Sequence, residues 1–252
     1  SVSADRESLF KFPKINFGRS YKYNNLDSLK STIKKYKASN IFAIIVEPFS
    51  ASTYNKCSEF FLQECLELGK KNNIRIIFDE IYTGFGKTGV PFFFQKYKNC
   101  YPNILILSKS FGGGKSSISG YISDNVTMKK SYGNLNDALI HTTTYNGFGE
   151  ECVSAIEAIN EIIDNDLVNK SKKNGEYIHM KLKSLKKNHP FILKEIRGIG
   201  SLYGIIVDNK FLKNSKNIFK TIPFLKNKVE LLNKLPAALI SDHLYANYKI
   251  LT

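Results

Sequence analysis

An α/β fold built on a mainly parallel sheet is what this 252-residue sequence predicts, and three observations predict it. Short apolar strings recur at Ile41–Val46, Ile74–Phe78 and Ile104–Leu107, each of strand length. Segments with helical spacing separate them, and such alternation implies parallel strands covered on both faces. Each string also ends in polar or charged residues: Glu47-Pro48, Asp79-Glu80 and Ser108-Lys109. In open α/β sheets ligands bind beyond the carboxyl ends of strands, so these residues stand where a site is expected.

The clearest helical segment is Cys57 to Asn72, where Phe60, Phe61, Leu62, Cys65, Leu66 and Leu68 can form one apolar face. A second helix is expected from Glu150 to Ile163, with Val153, Ile156, Ile159, Ile162 and Ile163 on its buried side. A lysine-rich helix follows from Asn169 to Lys187, stopped by His189-Pro190, because the residue before proline is pushed out of helical geometry. The segment Ile196 to Gly200 then reads as a turn leading into a strand that runs through Val207. The last fifty residues carry no clear pattern. We expect two units, residues 1–163 as part of a large domain and 164–252 as part of a small C-terminal α/β domain.

Composition narrows the classes. A 42% hydrophobic content can bury a sizeable core, and no apolar run approaches the ~20 residues a membrane-spanning helix needs. The first residues lack both an initiator Met and the order of a secretory signal, so the chain reads as a cut end with a cytoplasmic location. Cys57, Cys65, Cys100 and Cys152 are scattered without ligand spacing, which argues for free thiols and against a zinc site or disulfide framework. The net charge of +15 would favour polyanion binding if it formed a face. Its lysines are dispersed among Asn, Ile and Tyr, so no nucleic-acid partner is expected.

The chemistry concentrates between Ile76 and Tyr145. In Ile76–Gly89 an acidic pair ends an apolar strand and a glycine-rich turn follows; in Ile104–Gly114 a single lysine ends another strand before three glycines. A pyridoxal 5'-phosphate site needs both parts. A carboxylate must keep the coenzyme's ring nitrogen protonated so that the ring can accept electrons, and a lysine must bond the aldehyde and then serve as a base. Asp79 and Lys109, on adjacent strand ends, could meet opposite parts of one ring, and Gly112 to Gly114 would let backbone approach closely. Taken alone, Asp79 would be a turn cap and Lys109 a solvated lysine; the two strand ends together reverse both readings.

These residues resemble class III pyridoxal-phosphate aminotransferases, which share a scaffold with glutamate-1-semialdehyde aminomutase. The resemblance runs from about Ile41 to Val207 through blocks in family order: Glu47-Pro48, Asp79–Gly89, Ser108–Gly114, His141–Gly147 and Arg197–Gly200. It implies the fold type I of pyridoxal-phosphate-dependent transferases, with a seven-stranded, mainly parallel large domain of which this chain holds part. It also implies that Asp79 partners the pyridine nitrogen, that Lys109 is the Schiff-base lysine, and that Thr144 binds the cofactor phosphate across a homodimer interface. Tyr82 matches a cofactor-contacting position where many members have Gln. His141 and His179 are given no catalytic part, and Glu47 is expected to hydrogen-bond loop backbone beside the site.

Two departures accompany the match. Tyr82 replaces the common Gln, and Phe49 to Thr53 replaces a glycine-rich continuation after Glu47-Pro48. The family's phosphate-binding loop and ring-stacking aromatic belong to a region before this chain, without which affinity for the cofactor should be poor. The expected activity moves an amino group between a small amine or amino acid and a 2-oxo acid. The rivals are a 2,1-aminomutase on the same scaffold and a noncatalytic binding module.

Overall fold

The structure, a computed structural model, describes residues 21–135, 144–208 and 229–251. His141 lies outside the described residues.

The first element among the described residues is helix α1 (Leu26–Tyr36), whose start is fixed by the Asn25 side chain accepting from Ser28 N at 2.8 Å. Strand β1 (Ala43–Val46) follows, then helix α2 (Glu59–Asn72). Ser58 caps α2 by accepting from Phe61 N at 3.1 Å, and Asn73 ends it in the left-handed conformation. Strands β2 (Arg75–Asp79) and β3 (Ile104–Leu107) continue the sheet, and β4 (Gly120–Ser123) closes it. The order is β1-β2-β3-β4, with the first three parallel and β4 antiparallel to β3. The short helix α3 (Asn125–Tyr132) is capped by Asp124, which accepts from Thr127 N at 2.6 Å.

One face of this sheet is well covered. Leu29 and Ile33 of α1 and Phe61, Leu62 and Cys65 of α2 pack with Ile44, Val46, Ile76, Phe78, Leu105 and Leu107. These strand residues alternate, as period-2 geometry requires, so their neighbours point the other way. Ile45 on that second face is 49% exposed, and among the described residues the two-sided cover expected from the continuous apolar strings is not complete. Within α2 the buried stripe is Phe61, Leu62, Cys65 and Gly69, whereas Phe60 points outward.

Helix α4 (Gly149–Asp164) and helix α5 (Leu167–Asn188) form in the expected places. The α4 stripe, however, is not buried as expected: Val153, Ile156 and Ile163 are exposed, and Ala155 is the buried residue. Helix α5 stops before His189-Pro190, as the proline rule requires. Strands β5 (Leu193–Ile199) and β6 (Leu202–Val207) form an antiparallel hairpin. Ile196 to Ile199 are therefore strand, not turn, and the reversal falls at Gly200-Ser201. Helix α5 meets that turn so closely that a Cβ on Gly175 would lie 2.2 Å from Gly200 O. Helix α6 (Val229–Tyr248) contains Pro236, whose presence hid the helix from the sequence pattern.

Candidate active site

Two parallel strand ends build the site. Asp79 closes β2 and pairs in register with Ile106 of β3, so Lys109, two residues past the end of β3 and first in the short 3-10 turn that follows, leaves the sheet at the same edge. Ser108 turns the chain, its Oγ donating to Ile118 O at 3.0 Å. Lys109 itself has φ 51, a left-handed conformation that a long L side chain rarely adopts. Such backbone strain persists where surrounding structure imposes it, and it collects at functional sites.

The loop after Asp79 is stapled by Glu80, a residue the sequence reading paired with Asp79 without giving it a task. Its side chain is fully buried and accepts from Phe93 N at 2.7 Å, Phe94 N at 2.8 Å and Thr83 Oγ1 at 2.8 Å. Burial pushes the carboxyl above its ordinary range, against those three donors, which pull it down. Asp79 is different. Its Oδ1 accepts from Ile81 N at 3.0 Å, and Oδ2 has no hydrogen-bond partner among the described residues.

A cleft of about 1190 Å³ opens beyond the sheet edge, with Tyr82, Lys87, Lys109, Ser110 and Gly112 to Gly114 on one wall and Ser154, Glu157 and Glu161 of α4 among those on the other. Lys109 and Lys87 each place Nζ 5.9 Å from the centroid of the Tyr82 ring. Lys87 Nζ also donates to Ser110 Oγ at 2.6 Å, and Phe85 stacks on Phe111 at 5.2 Å, so the two motif loops are tied together twice. Burial first, and then the charge of Lys109, lower Lys87 to about 8. The Tyr82 hydroxyl lies 2.8 Å from that of Tyr54, and burial followed by this contact pushes Tyr82 up to about 12.

Of the four residues expected to hold a cofactor, Lys109 and Tyr82 share the cleft wall. Asp79 stands on the adjacent strand end without lining the cleft, and Thr144 sits exposed in a turn away from it. Lys87 was missed, although its place in the Gly86-Lys87-Thr88-Gly89 turn was in view; nothing in the sequence said that this turn folds back on Ser110. The expected role of Glu47 is seen, since its Oε2 accepts from Ala51 N at 2.8 Å.

The donor set suits pyridoxal phosphate: an amine just past a strand end, a carboxylate with a free oxygen on the neighbouring strand end, and a phenol beside the amine. Gly113 and Gly114 have positive φ, and a Cβ on Gly114 would meet nothing within 4 Å, leaving open space at the cleft. In an open α/β sheet a cleft beyond the carboxyl edge is where ligands and cofactors bind.

The comparisons identify the family. The Aminotransferase class-III family matches residues 7–235, and the chain belongs to that family. It is 33% identical over 184 residues to an ornithine aminotransferase of Brevibacillus brevis, covering 73% of this chain and 43% of the relative. It is 32% identical over 195 residues to ornithine aminotransferase 2 of Staphylococcus aureus strain MRSA252, covering 77% and 44%. The chain thus spans less than half the length of these curated relatives. Among solved structures, the acetylornithine aminotransferase of Elizabethkingia anophelis superposes with TM-score 0.65 at 27% identity, over 78% of this chain and 50% of that one. An S-selective transaminase from Arthrobacter sp. with alanine bound superposes with TM-score 0.68 at 22% identity, over 79% and 43%, and shows the fold alone. Class III aminotransferases are pyridoxal-phosphate-dependent, and the fold is that of the type I transferases.

Proposed function

We propose that the whole protein is a pyridoxal-phosphate-dependent aminotransferase that moves an amino group between an amine or amino acid and a 2-oxo acid. The observation that carries this reading is the placement of Lys109 and Asp79 on adjacent parallel strand ends, in register through Asp79 and Ile106. Lys109 Nζ is the atom that would bond the coenzyme, and Asp79 Oδ2 is the free oxygen that would hold the ring N–H. Tyr82 offers a hydroxyl to the coenzyme's phenolic oxygen, and Thr144 of a second subunit would receive its phosphate. When bound, the coenzyme supplies an electron sink that makes the hydrogen on the substrate's amine-bearing carbon removable. Lys109 Nζ then takes that proton and returns it.

The names of the relatives make a terminal amine such as that of ornithine the first donor to test. The chain divides at residue 163 into parts of a large and a small domain, and the enzyme works as a cytoplasmic homodimer. Lys109→Ala in the full-length protein should abolish the visible absorbance band near about 420 nm that a lysine-bound coenzyme gives, and survival of that band would reject the assignment. Release of a 2-oxo acid, as opposed to an isomer of the amine donor, separates transfer from internal migration of the amine.

A further inference from the structure

The two departures from the family pattern meet in space. Tyr82 stands where Gln is common, and the loop after Glu47-Pro48 has lost its glycines; the structure joins them through the Tyr54 and Tyr82 hydroxyls at 2.8 Å. The loop is built to bring Tyr54 there. Tyr54 has φ 56, left-handed and costly for a bulky aromatic, and it is held by its N–H donating to Ser50 O at 2.9 Å. Its ring packs edge-on against Phe49 at 5.8 Å and Tyr82 at 6.2 Å. From the C-terminal hairpin, Arg197 Nη1 donates to Thr53 O at 3.2 Å. Gly204 leaves the room, because a Cβ there would lie 3.0 Å from the Tyr54 ring.

A hydrogen bond between two hydroxyls uses one O–H and leaves the other unspent. Among the described residues neither hydroxyl has another hydrogen-bond partner, so the pair retains one donor at the cleft wall, beside the two amines, Lys87 and Lys109, that face the Tyr82 ring. Tyr82, pushed up to about 12, keeps its proton at neutral pH, which makes it a donor and not a base.

We infer that Tyr54 is a positioning residue: by spending its own O–H on Tyr82 it fixes the Tyr82 hydroxyl as a donor to an anionic ligand oxygen held beside Lys109. This rests on the aminotransferase reading, in which that oxygen is the coenzyme's phenolic oxygen. A hydrogen bond donated to that oxygen stabilises the charge left when the neighbouring proton departs. The bond therefore lowers the pH at which the visible band is lost, and removing the donor raises it.

The experiment is a spectroscopic pH titration of the loaded full-length protein and of its Tyr54→Phe, Tyr82→Phe and doubly substituted forms. Tyr82→Phe should raise the midpoint by about one pH unit, Tyr54→Phe should raise it by part of that, and the double form should shift no further than Tyr82→Phe alone. Gly204→Ala, which displaces the Tyr54 ring without removing a hydroxyl, should move the midpoint in the same direction. An unchanged midpoint in Tyr54→Phe, or full additivity in the double form, overturns the inference while leaving the enzyme class intact. A wild type that shows no visible band with pyridoxal phosphate fails the aminotransferase reading, and the inference with it.

Discussion

Lys87 Nζ donates to Ser110 Oγ at 2.6 Å, joining the loop after β2 to the residue that follows Lys109. The same residue's carbonyl accepts from Ser201 N at 2.8 Å and Ser171 Oγ at 2.9 Å, so Lys87 also anchors the C-terminal hairpin and α5. One position thus braces the lysine loop against both later elements.

This placement has a pH signature. Lys87 is lowered from its ordinary 10.5 to about 8, chiefly by burial. Between those values the unfolded chain binds the proton and the folded one does not, so stability from this group rises with pH across that window. Below about pH 8 both forms are charged and the cost of the buried charge is present in full. Lys87→Met should therefore gain stability relative to wild type at pH 7 and lose that advantage toward pH 10.5. Urea midpoints at the two pH values measure it, and a difference that does not shrink would show that the ammonium is not desolvated.

Substitution can separate the capping bond of Asp79 from the cofactor role proposed for it. Its Oδ1 caps the turn by accepting from Ile81 N, a bond that Asn can reproduce, whereas only the carboxylate can hold a ring proton through charge. Asp79→Asn should leave unfolding free energy within about 0.5 kcal/mol of wild type while reducing amino transfer by roughly 100-fold or more. Asp79→Ala should add about 1 kcal/mol of destabilisation. Equal activity in wild type and Asp79→Asn would leave only the capping task.

Glu80 should prove a stability residue. Glu80→Gln turns an amide NH2 toward at least one of the N–H and O–H donors that now meet carboxylate oxygens, and should cost about 1–3 kcal/mol. Glu80→Ala strands all three donors and should cost about 3–5 kcal/mol. Denaturant unfolding followed by circular dichroism would check the order, and a neutral Glu80→Ala would refute the stapling role.

Strand and helix placement was legible because local periodicity reports it: β3 falls on the predicted string Ile104–Leu107, and α2 and α4 begin and end within two residues of their expected bounds. The motif blocks that hold Asp79, Tyr82 and Lys109 were legible because motif order survives in the chain even where its partners are remote. The α4 stripe misled because periodicity says which residues share a face, not what covers it. Likewise β5 was hidden by Gly198, whose φ of 139 keeps an extended strand where glycine usually signals a turn.

The amino-acid order alone determined the α/β class, the strand ends and the residue types placed on them, since these follow from side-chain volume and polarity along the backbone. Only the tertiary structure decided that Lys87 reaches Ser110, that Glu80 is consumed by three donors, and that Tyr54 meets Tyr82 across 28 residues. The reason is physical: those contacts depend on how loops from different strands fold over one sheet edge, and loop conformation is set by packing and hydrogen bonds that no local pattern records.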